Sequence, residues 1–165
     1  MEGNRKNACC FTGHRIIPRE ELSDLSITLE KEIRFLAEKG ITLFYCGGAL
    51  GFDTLAAEAV LKIRKEMPMV RLHLALPCPE QTRGWKERDV LRYESIKAQA
   101  DVVTFVSNEY TKGCMQKRNR YMVDHSALCI AYLLPERSRG GTKYTVAYCE
   151  KQGVPVVYLP KKKEQ

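Results

Sequence analysis

The chain has 165 residues and a mass of 18.9 kDa, enough for one domain core and too little for two. Hydrophobic residues make up 44% and charged residues 28%, proportions that exclude a disordered or fibrous chain. The longest apolar stretch, Ala127 to Leu134, is far shorter than the roughly 20 residues that span a bilayer, and the opening MEGNRKNACCF has no leader core, so a cytoplasmic protein with no membrane partner is expected.

Apolar runs and helical patterns alternate along the chain. Ala8–Phe11 reads as a short strand that stops at Thr12-Gly13. Leu22, Leu25, Leu29, Ile33 and Leu36 then recur at three- and four-residue steps, the buried stripe of a helix over Glu20–Glu38 that ends at Gly40. Ile41–Cys46 is a second strand, and Asp53 or Thr54 is expected to cap a helix with an inner face of Ala56, Ala59, Val60 and Ile63. Val70–Leu76 is the third strand. A helix over Trp85–Gln99 and a fourth strand, Asp101–Ser107, follow. A helix over Met115–Ser126 leads to the fifth strand, Ala127–Leu134. Helix Thr142–Gln152 and strand Val154–Leu159 complete the series.

Strands that do not alternate in polarity are buried on both faces, and strands separated by helices form βαβ units. The expected fold is therefore α/β, a Rossmann-like, doubly wound, mostly parallel sheet of about six strands in three αβα layers. One domain occupies residues 1–165, with its core over 8–159 and a basic tail at 160–165. Seven cysteines, odd in number and without a CxxC, read as reduced thiols, because Cys9, Cys46 and Cys129 lie inside apolar runs.

In such a sheet ligands bind beyond the carboxyl ends of the strands. Three loops there carry small residues: Thr12-Gly13-His14-Arg15, Gly47-Gly48-Ala49-Leu50-Gly51-Phe52-Asp53, and Arg139-Gly140-Gly141-Thr142. Glycine lets backbone approach an anion, and the N–H groups of the following helix favour negative charge by roughly 0.3–1 kcal/mol. The spacing is neither GxGxxG nor a P-loop. Of the net charge of +7, Lys112, Lys117, Arg118 and Arg120 form one cluster and Arg137, Arg139 and Lys143 another, both in strand-to-helix loops. Arg118 and Arg15 are expected to hold phosphate, and Asn119 and Thr12 to contact sugar or base. His14 reads as a phosphate donor, an acid or a structural hydrogen-bonding residue. Trp85 reads as a pocket roof or a helix anchor. The histidines His14, His73 and His125 lack metal-ligand spacing, so no metal is expected.

Cys10-Phe11-Thr12-Gly13-His14-Arg15, the Gly47–Asp53 loop, Gln116-Lys117-Arg118-Asn119 and Gly140-Gly141-Thr142 together resemble the YpsA-type domain (DUF1273) of the SLOG superfamily, over about Ala8 to Leu159. That superfamily also holds the DNA-processing protein DprA and the Lonely-guy phosphoribohydrolases. The resemblance implies a Rossmann-like fold with a pocket for a nucleotide-derived ligand, a class that includes NAD and ADP-ribose, and no settled reaction. Lonely-guy enzymes carry PGGxGTxxE, whereas this chain has Arg139-Gly140-Gly141-Thr142-Lys143-Tyr144-Thr145 and no glutamate in register; Glu150 lies about two turns on. An N-glycosidic hydrolase would need another carboxylate, and Asp53 and Glu58 are the candidates. In their plain readings Asp53 is a helix cap and Glu58 a solvated residue. Single-stranded DNA is a third reading, carried by Lys112, Lys117, Arg118 and Arg120 between Tyr110 and Tyr121. Related folds often self-associate, which makes a second copy a further partner to consider.

Overall fold

The computed structural model describes residues 5–136 and 140–160. Six strands, β1 (Ala8–Gly13), β2 (Leu43–Cys46), β3 (Arg71–Leu76), β4 (Val102–Phe105), β5 (Leu128–Tyr132) and β6 (Val156–Leu159), form one sheet in the order β4-β3-β2-β1-β5-β6. Every adjacent pair is parallel. The helices are α1 (Leu22–Glu38), α2 (Phe52–Glu66), α3 (Glu87–Gln99), α4 (Cys114–Asp124) and α5 (Gly141–Gln152). The chain steps outward from β1 to β4. Through α4 it then crosses back to β5, on the other side of β1, so the strand order reverses between β1 and β5.

The sheet buries a cluster on each face. Phe11, Phe44, Leu72, Leu74 and Ile130 point to one face, where they pack with Leu29 and Ile33 of α1, Val60 and Ile63 of α2, and Ile96 of α3. Each such buried side chain contributes roughly 1.5–3 kcal/mol. Ala8, Cys10, Ala75 and Cys129 point to the other face, with Met122 and Val123 of α4 and Cys149 of α5. The larger Tyr45 shares this face, in ring contact with His73 and with Tyr121 of α4. All seven cysteines are free and buried.

The elements depart from the sequence reading mainly at their ends. β1 runs on through Thr12 and Gly13, held by pairing with Ala131 and Tyr132 of β5. Helix α3 starts at Glu87 and not at Trp85, and Trp85 instead packs edge-on against Tyr93 with ring centroids 5.6 Å apart. That contact anchors α3, and Trp85 is not among the residues that line the cavity described below. Leu22, expected in the buried stripe of α1, is the first residue of the helix and is 38% exposed, because the stripe begins one turn later at Leu25. Neither expected cap acts as one. Helix α2 begins at Phe52 after Gly51, so Asp53 lies inside the first turn, and Thr54 Oγ1 donates to the Ala49 carbonyl.

Candidate functional site

The end of β1 is tied to its neighbours before any ligand is considered. The His14 carbonyl accepts from the Phe52 amide at 3.1 Å, and its Nε2 accepts from the Leu134 amide at 3.0 Å. Nε2 is therefore unprotonated, and the buried ring stands edge-on to Tyr132 at 5.7 Å. His14 brackets β1, α2 and the exit of β5. This geometry matches the structural reading, and the same residue also lines the cavity described below.

The glycines of the β2–α2 turn make room for protein atoms. At Gly51, φ is +80° and a Cβ would lie 2.2 Å from the Arg15 carbonyl oxygen. At Gly47 a Cβ would come within 2.7 Å of Arg118 Nη1, and at Gly48 within 2.5 Å of Leu76. None of the three is among the residues that line the cavity described next, whereas Ala49 and Asp53 of the same loop are. Gln81 lies behind the same turn and donates from Nε2 to the Gly47 carbonyl at 3.2 Å.

Arg118 is the reason Gly47 has no side chain. Helix α4 starts after Gly113, where φ is +83°, and delivers Arg118 inward with only 4% exposed. Its Nη1 donates to the Gly47 carbonyl, Nε donates to Asn119 Oδ1 at 2.7 Å, and Nη2 lies 3.9 Å from Met115 Sδ. Burial lowers its pKa from the usual arginine value, partly offset by the charge of Asp53. Arg118, although it lies among Lys112, Lys117 and Arg120 in the sequence, is therefore not part of a solvated basic face. Asp53 is 6% exposed, and its Oδ2 accepts from the Ala49 amide at 3.3 Å. Burial pushes its carboxyl up to about 6, against the pull of Arg118, the Ala49 amide and Arg15.

These groups surround a cavity of about 480 Å³ at the carboxyl edge, where the strand order reverses. Thr12, Gly13, His14 and Arg15 line it from β1. Ala49 and Asp53 come from the turn into α2, Arg118 and Asn119 from α4, and Gly140, Gly141 and Thr142 from the start of α5. Arg15 is exposed at the rim. Ile16, Met115 and Gln116 also line the cavity. Positions 115, 116, 118 and 119 share one helical face, which is the periodic signal that would have found Met115; Ile16, 74% exposed, carries no such signal.

Glu58 is elsewhere. It forms a surface ion pair with Arg92, accepting from Nε at 3.0 Å and from Nη2. Asp53 is the one carboxylate among the described residues that line the cavity, so a glycosidic hydrolase would have to work through it alone. Lys112, Lys117 and Arg120 line a neighbouring depression of about 330 Å³, and Gln116 borders both this depression and the cavity. Arg120 Nη1 donates to Tyr144 Oη there at 2.9 Å. Tyr121 is half-buried, in ring contact with Tyr45, His73 and His125. The second expected basic cluster cannot be placed as a whole, since Arg137 and Arg139 lie outside the described residues. Among the described residues no group of three His, Cys, Asp or Glu side chains is placed to hold a metal, and no helix is long and apolar enough to cross a membrane.

An all-parallel sheet with helices on both faces, opening to a cavity at its strand-order reversal, defines an α/β domain of the Rossmann-like class. Within that class the chain belongs to the YspA SLOG family, whose YpsA model matches residues 18–158. It is 28% identical over 141 residues to a UPF0398 protein of Bacillus pumilus (strain SAFR-032), covering 84% of this chain and 75% of that one. To the UPF0398 protein YpsA of Bacillus subtilis (strain 168) it is 29% identical over 133 residues, covering 77% and 73% respectively. Among solved structures it is similar to DNA processing protein A from Helicobacter pylori, described for its single-stranded DNA binding mode. The TM-score is 0.66 at 19% identity, over 98% of this chain and 69% of that one, a likeness of fold.

Proposed function

We propose that this domain binds a nucleotide or nucleotide-derived molecule in the cavity at the β1/β5 edge. The observation that carries this reading is the convergence of Arg15, Arg118 and the α5 N-terminus on one cavity of about 480 Å³, a size suited to a small ligand. The first intrahelical bond of α5 runs from the Tyr144 amide to the Gly140 carbonyl, so the amides of Gly141, Thr142 and Lys143 precede the helix's own bonding pattern and suit an anion. Arg15 adds a guanidinium at the rim. Titration calorimetry against AMP, ADP-ribose, NAD and cyclic nucleotides tests the proposal. At least one is expected to bind, with Arg15→Ala weakening it about tenfold. A folded protein that binds none of them overturns it.

A second reading, single-stranded DNA binding, is favoured by one specific observation. The depression lined by Lys112, Lys117 and Arg120 adjoins the cavity through Gln116 and has Tyr144 of α5 at its side, so cations from α4 and the loop before it lie next to an aromatic ring. The neighbour from Helicobacter pylori, described as binding single-stranded DNA, gives this reading further support. Oligonucleotide affinity that falls steeply with salt, and falls again in Lys117→Ala, would favour it over the first.

A further inference from the structure

Two opposite charges face the same cavity without meeting. Asp53 and Arg118 are both more than nine-tenths buried, yet among the described residues no hydrogen bond or ion pair joins them. Asp53 uses Oδ2 for the Ala49 amide, and Oδ1 has no hydrogen-bond partner among the described residues. Arg118 has spent Nε on Asn119 and Nη1 on Gly47, while Nη2 has only the thioether of Met115. Asn119 uses its oxygen for Arg118, which leaves its Nδ2 as a donor. The floor of the cavity thus offers a carboxylate acceptor and two kinds of N–H donor within one small volume.

This set suits a neutral group that both donates and accepts. A phosphate would meet the Asp53 carboxylate as a like charge, whereas a hydroxyl can donate to the carboxylate and accept from the guanidinium or amide. The floor also lies next to the anion-suited end of α5, since a Cβ on Gly141 would be 3.9 Å from Asn119 Nδ2. In a nucleotide, the group next to the phosphate is the sugar. We infer that Asp53, Arg118 and Asn119 recognise the 2′,3′-diol of a ribonucleotide, so that the site selects ribose over deoxyribose. The inference rests on the nucleotide reading above and specifies the sugar within it. The base then extends toward Ile16, the exposed apolar residue at the mouth.

The test is calorimetry of the full chain with AMP, GMP, CMP and UMP, each beside its 2′,3′-dideoxy counterpart, on wild type and on Asp53→Asn. The wild type is expected to bind at least one ribonucleotide about tenfold or more tightly than the matched dideoxy form, because a buried site built for hydroxyls rejects a ligand lacking them. In Asp53→Asn that ratio is expected to shrink toward one through loss of ribonucleotide affinity. Equal binding of ribo and dideoxy forms by the wild type overturns the diol assignment and leaves the nucleotide proposal standing. Binding of neither form overturns the diol assignment, and the nucleotide proposal falls with it only when ADP-ribose, NAD and cyclic nucleotides are also refused. A ratio unchanged in a folded Asp53→Asn removes Asp53 from the assignment.

Discussion

Two turns with paired glycines, Gly47-Gly48 and Gly140-Gly141, look alike in the sequence and differ in what surrounds them. At the first, added side-chain atoms would strike Arg118 and Leu76, and four residues on Gly51 presses against the Arg15 carbonyl. At the second, among the described residues, a Cβ on Gly140 would meet nothing within 4 Å and one on Gly141 only Asn119. One turn is glycine-rich because protein fills the space, and the other opens on the cavity. A glycine pair after a strand therefore does not by itself mark the surface that a ligand touches.

Substitutions should separate the two turns. The largest effect is expected from Gly51→Ala, which combines a left-handed φ with a backbone clash and should cost at least about 3 kcal/mol or prevent folding, as read by chemical denaturation. Next comes Asp53→Asn, with the opposite sign. A carboxyl displaced upward from 3.8 to about 6 on folding costs stability once ionised. The cost grows as pH rises from about 4 to about 6, is complete above that, and reaches at most about 3 kcal/mol. The variant should therefore melt higher at pH 7.5, by up to about 6–12 °C, and gain nothing below pH 4, in parallel thermal scans. Gly141→Ala should alter stability by less than about 0.5 kcal/mol while weakening AMP binding, the reverse of the Gly51 result. Glu58→Gln should do least, under about 0.5 kcal/mol and with no change in binding, because it removes only an exposed pair with Arg92.

The order of elements was legible because each strand is short, apolar and followed by a helical stripe; Leu25, Leu29 and Ile33 are buried as their spacing requires. The family, too, could be read from the Gly47–Asp53 and Gln116–Asn119 motifs, which lie inside the matched residues 18–158, whereas Thr12–Arg15 lies before them. What local pattern could not supply was depth. Arg118 sits in a basic, polar segment with nothing local to show that it is buried; it is buried because Gly47, 71 positions away, leaves space for its head. Asp53 reads as a helix cap because its neighbours are those of a helix start, while the real boundary is set by Gly51 and the Phe52 amide reaching His14. Glu58 and Asp53 are chemically alike in sequence, and only the tertiary arrangement sends one to Arg92 and the other to the cavity.

The bond from the Arg118 guanidinium to the Gly47 carbonyl pins α4 to the turn after β2. A wall fastened in this way is already in position before anything arrives, and a side chain so constrained has little rotational freedom left to surrender on binding. The socket should therefore keep nearly the same shape empty and filled, and association should proceed in a single kinetic phase, without a closure step along this side.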